Sequence, residues 1–178
     1  GSIVSKRIGP GTKNMARGPA MTRDEAVRCV EAGIDVALQL GPATDVFGTG
    51  DMGIGNTTPS SAIVAVLTGV PVAQVTGRGT GISEEQRLHK VAVIEQALKL
   101  NRPAPNDALD VLAKVGGFEI GGIAGLILGA AAQRKPVLID GFISTAGALL
   151  ASSLAPQSSA YMIAAHRSVE QGHRVALA

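Results

Sequence analysis

Apolar residues recur at helical spacing through most of the chain, and short apolar runs that end in glycine turns separate the helical stretches. Residues 1–21 lack any such period. Gly9, Pro10, Gly11, Gly18 and Pro19 interrupt it and predict an irregular arm. Thr22 followed by Glu25 reads as a capping box that opens a helix to about Leu40, with Val27, Val30, Ile34 and Leu38 as its apolar stripe and Gly41-Pro42 as its stop. A β-type run at Thr44–Phe47 leads into a glycine loop, and a helix from about Ser60 to Thr68 follows. Val70–Thr76 reads as a second strand entering the turn at 77–81. Ser83 and Gln86 form another capping box, and the helix behind it runs to about Leu100 with Val91, Ile94, Ala97 and Leu98 inward. The prolines of 101–105 break the chain, and Asn106 can cap a short helix to Val115. A helix over about Ile120–Gln133 carries glycines at 121, 122, 125 and 129. These cost helix propensity, which makes sense if a neighbouring element packs very close to a buried helix. Pro136–Asp140 is the clearest strand, a small-residue helix spans about Ser144–Leu154, and Ala160–Ala165 is the last strand, ending at His166.

The repeated order of helix, strand, glycine turn and helix, with strands apolar on both faces, predicts an α/β fold: a three-layer, Rossmann-like parallel sheet flanked by helices. Residues 1–21 are then the arm and 22–178 one nucleotide-binding α/β domain. In such folds ligands bind beyond the carboxyl ends of the strands. The turns at 48–58, 77–81, 140–144 and 166–168 should all meet on that edge.

Composition narrows the possible ligands. A length of 178 residues suits one domain with a real core, and a net charge of +2 with 17% charged residues leaves little for a nucleic-acid face. One tyrosine, three phenylalanines and no tryptophan barely furnish a base-stacking platform. Cys29, the single cysteine, permits neither an internal disulfide nor a thiolate-rich metal site, and reads as a buried helix residue. The three histidines lack metal-ligand spacing, so no metal is expected. No secretory segment opens the sequence, and the longest apolar run, Ile123–Ala132, is too short for a bilayer. A cytoplasmic protein without membrane or nucleic-acid partners is the expectation.

The segment GTGDMGIGNTT at 48–58 holds the strongest chemical signal. Gly53, Gly55, Asn56, Thr57 and Thr58 bring amides, hydroxyls and a helix start together, which suits a phosphate ester. Gly48-x-Gly50-x-x-Gly53 formally matches a dinucleotide fingerprint, but the next helix starts too late and the following strand ends without an acidic residue for a ribose. A phosphate or nucleotide-monophosphate turn fits better. Asp51 either braces its own turn or faces the heterocyclic end of a ligand, because a carboxylate repels phosphate. Arg78, in TGRGTG at 76–81, either pairs with phosphate or binds a neighbouring helix, and Lys90 is either a solvated lysine or a point charge for an anion. Glu119 suits the first turn of its helix, Asp140 closes the best strand, and Ser144 and Thr145 offer hydroxyls at a helix start. His166, Arg167, Ser168, Glu170 and His173 follow the last strand. No nucleophile elbow or Walker lysine occurs.

These segments resemble nicotinate-nucleotide–dimethylbenzimidazole phosphoribosyltransferases along essentially the whole chain. The similar stretches are GTKNMARGPAMT (11–22), GDMGIGNTTPS (50–60), TGRGTG (76–81) with HK (89–90), VGGFEIGGIAG (115–125), PVLIDGFISTAGAL (136–149) and AHRSVEQGH (165–173). The resemblance implies attack of a benzimidazole nitrogen on the ribosyl C1 of nicotinate mononucleotide, releasing nicotinate and α-ribazole phosphate in cobalamin lower-ligand synthesis. It implies small-molecule substrates, no cofactor and a homodimer. It places phosphate binding at Gly53, Gly55, Asn56, Thr57 and Thr58 with help from Arg78 and Gly79, the ribosyl phosphate side at Gly141 and Ser168, and catalytic roles at Asp51 and Lys90. Asp51 stands where many members have a glutamate, one methylene longer.

The family's general base is a glutamate of a C-terminal glycine-rich motif that this sequence does not contain, and its N-terminal benzimidazole-binding part is also missing from it. The expectation is therefore a large-domain fragment that keeps part of the phosphate site but lacks normal turnover, since general-base help is typically worth about 10²–10⁴ in rate. The competing readings are a nonenzymatic nucleotide- or phosphate-binding module and a dinucleotide-dependent oxidoreductase.

Overall fold

The computed structural model describes residues 3–79, 81–166 and 171–177. Three parallel strands, β1 (Phe47–Thr49), β2 (Val137–Ile139) and β3 (Met162–Ala164), form a small sheet in the order β1-β2-β3. Phe47 pairs with Val137 and Val137 with Met162, so the three strands run level and leave the sheet at one edge. The helices are α1 (Arg23–Leu40), α2 (Thr57–Thr68), α3 (Val72–Val75), α4 (Glu84–Asn101), α5 (Ala108–Val115), α6 (Phe118–Ala132), α7 (Gly141–Leu154) and α8 (Gln171–Ala176). Short 3-10 turns occupy Gly41–Ala43 and Pro156–Tyr161. Among the described residues no helix is long and apolar enough to cross a membrane.

Both capping boxes form. Thr22 Oγ1 accepts from Glu25 N–H at 3.1 Å while Glu25 accepts from Thr22 N–H, and Ser83 and Gln86 repeat the exchange at the start of α4. The arm is irregular, as its glycines and prolines predict, yet it is not loose. Ala20 and Met21 are buried, and their N–H groups donate to the carbonyls of Lys114 and Ala113.

Several boundaries differ from the sequence reading. The first strand lies at 47–49 and not at 44–47, because β2 is there to pair with it. The last strand is confined to 162–164, since 160 and 161 belong to the 3-10 turn. Val70–Thr76 is not a strand. After Pro71, φ −52°, the chain makes the single helical turn α3, and Val72 and Val75 share one buried side at i, i+3 spacing. Asp107, not Asn106, caps α5, its Oδ1 accepting from Asp110 N–H at 3.0 Å. Helices α2, α6 and α7 each begin two or three residues earlier than the apolar pattern indicates.

The face of α1 that packs is made of Ala26, Cys29, Val30, Gly33 and Ala37, while Leu38, assigned to the buried stripe, is 50% exposed. Helix α6 explains this. A Cβ on Gly33 would collide with the carbonyl of Gly122, and one on Gly125 with the carbonyl of Val30. Backbones this close admit only small side chains, as the glycines at 121–129 imply. The sheet face carrying Phe47, Thr49, Val137 and Ile139 is buried under helices, whereas Leu138 and Ile163 on the other face are 40% and 51% exposed.

Helix α8 packs on α2, α3 and α7. Its His173 is fully buried, and the ring stands edge-on to that of His166 at 6.0 Å. Burial lowers the His173 pKa from its ordinary value, the His166 ring adds to this, and Asp140 opposes it.

Two tests follow from this packing. Gly125→Ala should destabilise the chain by about 3 kcal/mol or more in urea titrations, because the methyl meets backbone. Gly122→Ala, whose Cβ would find its nearest atom only at 4.0 Å, should be neutral or stabilising by up to ~1 kcal/mol. The second test concerns His173. A histidine whose folded pKa is depressed contributes stability that is complete above its unfolded value of 6.5 and is lost as pH falls below it. Urea midpoints should hold from pH 8 to 7 and decline between 6.5 and 5, with a flatter decline in His173→Gln.

Candidate functional site

The level ends of the parallel strands bring Gly50-Asp51, Asp140-Gly141 and Ala165-His166 to one rim. Asp140 links them. Its Oδ1 lies 3.1 Å from His166 Nδ1, and Oδ2 lies 3.9 Å from where a Cβ on Gly50 would be. The sequence marks both Asp140 and His166 singly, but not as a pair. Gly141, φ +75°, turns the chain directly into α7, a conformation that favours glycine.

The turn at 51–58 folds around Asp51. Its Oδ2 accepts from Gly53 N–H at 3.0 Å and from Asn56 Nδ2 at 2.7 Å. Of the two readings of Asp51, the structure displays the brace. A Cβ on Gly53 would collide with the Asn56 amide, so that position has to be glycine for the brace to close. Helix α2 then starts at Thr57, with Asn56 at its N-cap and without a side-chain cap bond. Thr58 N–H donates to Gly55 at 3.2 Å and Ser60 N–H to Asn56 at 3.1 Å. No described residue accepts from the N–H groups of Ile54, Gly55, Asn56 or Thr57. These donors lie at the positive end of a twelve-residue helix.

Two further segments close on this helix start. Lys90 Nζ, half-buried on α4, donates to Thr57 Oγ1 at 2.7 Å. A Cβ on Gly79 would stand 3.4 Å from the same hydroxyl, so Gly79 lies against Thr57 although no strand precedes its turn. Gly53, Gly55, Asn56, Thr57, Thr58, Gly79 and Lys90 are thereby gathered into one cradle. Arg78 points to α4, donating from Nη2 to Glu84 Oε2 at 3.1 Å. Gly141 belongs to the strand rim, and Ser168 lies outside the described residues, as do Thr80, Arg167 and Glu170.

Ser144 and Thr145 do not serve the rim as the sequence suggests. Helix α7 begins at Gly141, which carries both hydroxyls a turn inward. Ser144 is fully buried, and Thr145 Oγ1 donates to the Gly141 carbonyl at 2.7 Å. Glu119 occupies the first turn of α6, as its charge favours. Cys29 is buried, its Sγ donating to the Glu25 carbonyl at 2.9 Å, and burial with the Glu119 charge pushes its thiol up to about 12.

Sequence reasoning missed two features. Glu84 takes Arg87 and Arg78 together and is held down to about 2, chiefly by the Arg87 hydrogen bonds. A surplus of charge in an ordinary helix start gave no signal of this. A cavity of about 450 Å³ also lies beside β1, lined by Ile8, Val36, Gly50, Phe118, Ile123 and Leu126 among others. Its walls come from the arm, α1, β1 and α6, which are remote in sequence.

A phosphoribosyltransferase family model matches residues 2–178. The chain is 67% identical over its full length to the nicotinate-nucleotide–dimethylbenzimidazole phosphoribosyltransferase of Syntrophotalea carbinolica, covering 50% of that protein. It is 62% identical to the enzyme of the same name from Desulforudis audaxviator, covering 51% of it. Among solved structures, CobT from Thermus thermophilus superposes with a TM-score of 0.92 at 43% identity, over 98% of this chain and 52% of that one. The chain thus spans about half the length of these relatives. With a family model over residues 2–178 and these likenesses along nearly all of its length, the chain belongs to the nicotinate-nucleotide–dimethylbenzimidazole phosphoribosyltransferase family.

Proposed function

We propose that this chain provides the nucleotide-binding half of an enzyme that transfers the phosphoribosyl group of nicotinate mononucleotide to 5,6-dimethylbenzimidazole, in cobalamin lower-ligand synthesis. The observation that carries the reading is the Lys90–Thr57 contact at the uncapped start of α2, with Gly79 against it. A phosphate there would accept from the amides of 54–57 and from the hydroxyls of Thr57 and Thr58, with the Lys90 charge beside it. Gly53 and Gly55 shape the turn, and Arg78 would add a second cation by exchanging its contact with Glu84 for the phosphate. With the phosphate fixed, the ribose reaches toward Gly141, and the reacting carbon lies over the strand rim; the role of Ser168 rests on the family resemblance alone. Asp51, whose Oδ2 is engaged, has Oδ1 for the cationic pyridinium end of the donor.

In the reaction the C1–nitrogen bond to nicotinate breaks with its electron pair passing to the pyridine nitrogen, which removes the ring's positive charge. One benzimidazole nitrogen bonds to C1, and the other gives up its proton to a base. The protein's contribution from this chain is to hold the donor still and neutralise its phosphate, which lowers the entropic part of the barrier.

The same reading extends to the whole protein. Residues 1–21 form an arm and 22–178 the nucleotide-binding domain. The exposed Leu138 and Ile163 face is covered in the longer protein, completing a three-layer Rossmann-like sheet, and two copies pair as a cytoplasmic homodimer. Calorimetry tests the ligand. Nicotinate mononucleotide should bind with inorganic phosphate as a competitor, and Lys90→Ala should weaken it about tenfold or more, the loss of a charge-assisted contact. Tighter binding of NAD than of the mononucleotide would favour a dinucleotide enzyme instead.

A further inference from the structure

We propose that Arg87 is a positioning residue for the anion cradle: its guanidinium ties the end of α3 and the start of α4 together and so holds Gly79 against Thr57. The inference rests on the phosphate reading of that cradle and names the residue that sets its second wall. Arg87 spends its donors on protein groups. Nη1 reaches the carbonyls of Ala73 and Thr76 at 3.4 and 3.3 Å, Nε reaches Glu84 Oε1 at 2.9 Å, and Nη2 reaches the same oxygen at 2.6 Å. Its side chain is only 18% exposed.

The placement gives these bonds their consequence. Thr76 is the residue from which the 77–81 turn departs, and Lys90 lies one helical turn beyond Arg87 on α4. One guanidinium therefore fixes the root of the turn against the helix that carries the cradle's cation. Among the described residues the turn has few other bonds. Gly79 and Gly81 adopt φ of +52° and +102°, and its internal bonds run from the N–H groups of Gly81 and Ile82 to the Arg78 carbonyl at 3.0 and 3.1 Å. Glu84 completes the brace by accepting from Arg78 as well, so it holds the N-terminal side of the turn directly and, through Arg87, at Thr76. A lysine at 87 lacks the planar fork needed to meet a carboxylate and two carbonyls at once.

The test compares nicotinate mononucleotide with its dephosphorylated riboside by calorimetry on the whole chain. Arg87→Met should weaken the mononucleotide at least tenfold and leave the riboside within about twofold, because only the phosphate touches the displaced wall. Arg87→Lys should resemble Arg87→Met more than the parent. Circular dichroism and the unfolding midpoint check that the variant is folded. If Arg87→Met does not fold, Glu84→Gln reports instead, with the same selective loss at a few-fold. Equal weakening of both ligands would make Arg87 a general structural residue and overturn the proposal, as would unchanged mononucleotide binding. A parent chain that binds mononucleotide no tighter than riboside would remove the phosphate reading itself, and this inference with it.

Discussion

The backbone contact between α1 and α6 is the constraint on which the rest of the structure depends. Gly33 and Gly125 let each helix touch the other's carbonyls, a distance that no side chain allows. Helix α1 delivers the chain to β1 and α6 delivers it to β2. Holding the two helices at one spacing therefore holds the two strands side by side. Gln133, at the end of α6, locks the same junction by donating to the carbonyls of Ala37 and Gly129 at 2.9 and 3.1 Å. Level strands follow, and with them a single rim for Gly50, Asp140 and His166.

The cradle is built on different terms. Its donors are main-chain groups at the uncapped start of α2, and its close cation sits on α4. Asp51 contributes by stiffening the turn, as its bonds to Gly53 and Asn56 show. One oxygen of its carboxylate is turned into the loop it braces. Arginines 78 and 87 meanwhile leave Glu84 charged across the physiological range, so the α4 side of the cradle keeps a fixed arrangement of charge.

Local rules served best where local groups decide the outcome. The two capping boxes, the irregular arm, the glycine-rich loop and the strand at Val137–Ile139 were all legible, because each is settled by residues within a few positions of one another. The turn at 53–58 was legible for the same reason, since its residues are neighbours in sequence. Failures came where a partner remote in sequence decides. Val70–Thr76 has strand-like residues but no strand beside it, and Pro71 starts a helical turn whose two valines bury together. Leu38 is apolar at the right spacing, but the neighbouring glycine helix admits only the alanine and glycine side of α1. Ser144 and Thr145 were placed at a helix start that in fact lies one turn earlier.

By itself the sequence determined an α/β class with a parallel sheet, the two capping boxes, the glycine turn after β1 and the family to which these motifs point. Such features are short-range, and backbone sterics and capping write them into neighbouring residues. Tertiary structure alone decided that Lys90 meets Thr57, that Gly79 approaches the same hydroxyl, that Asp140 faces His166 and that Arg87 spans α3 and α4. Each of these joins segments separated along the chain, and their meeting depends on how closely whole helices approach, a quantity set by packing and not by any one residue's preference.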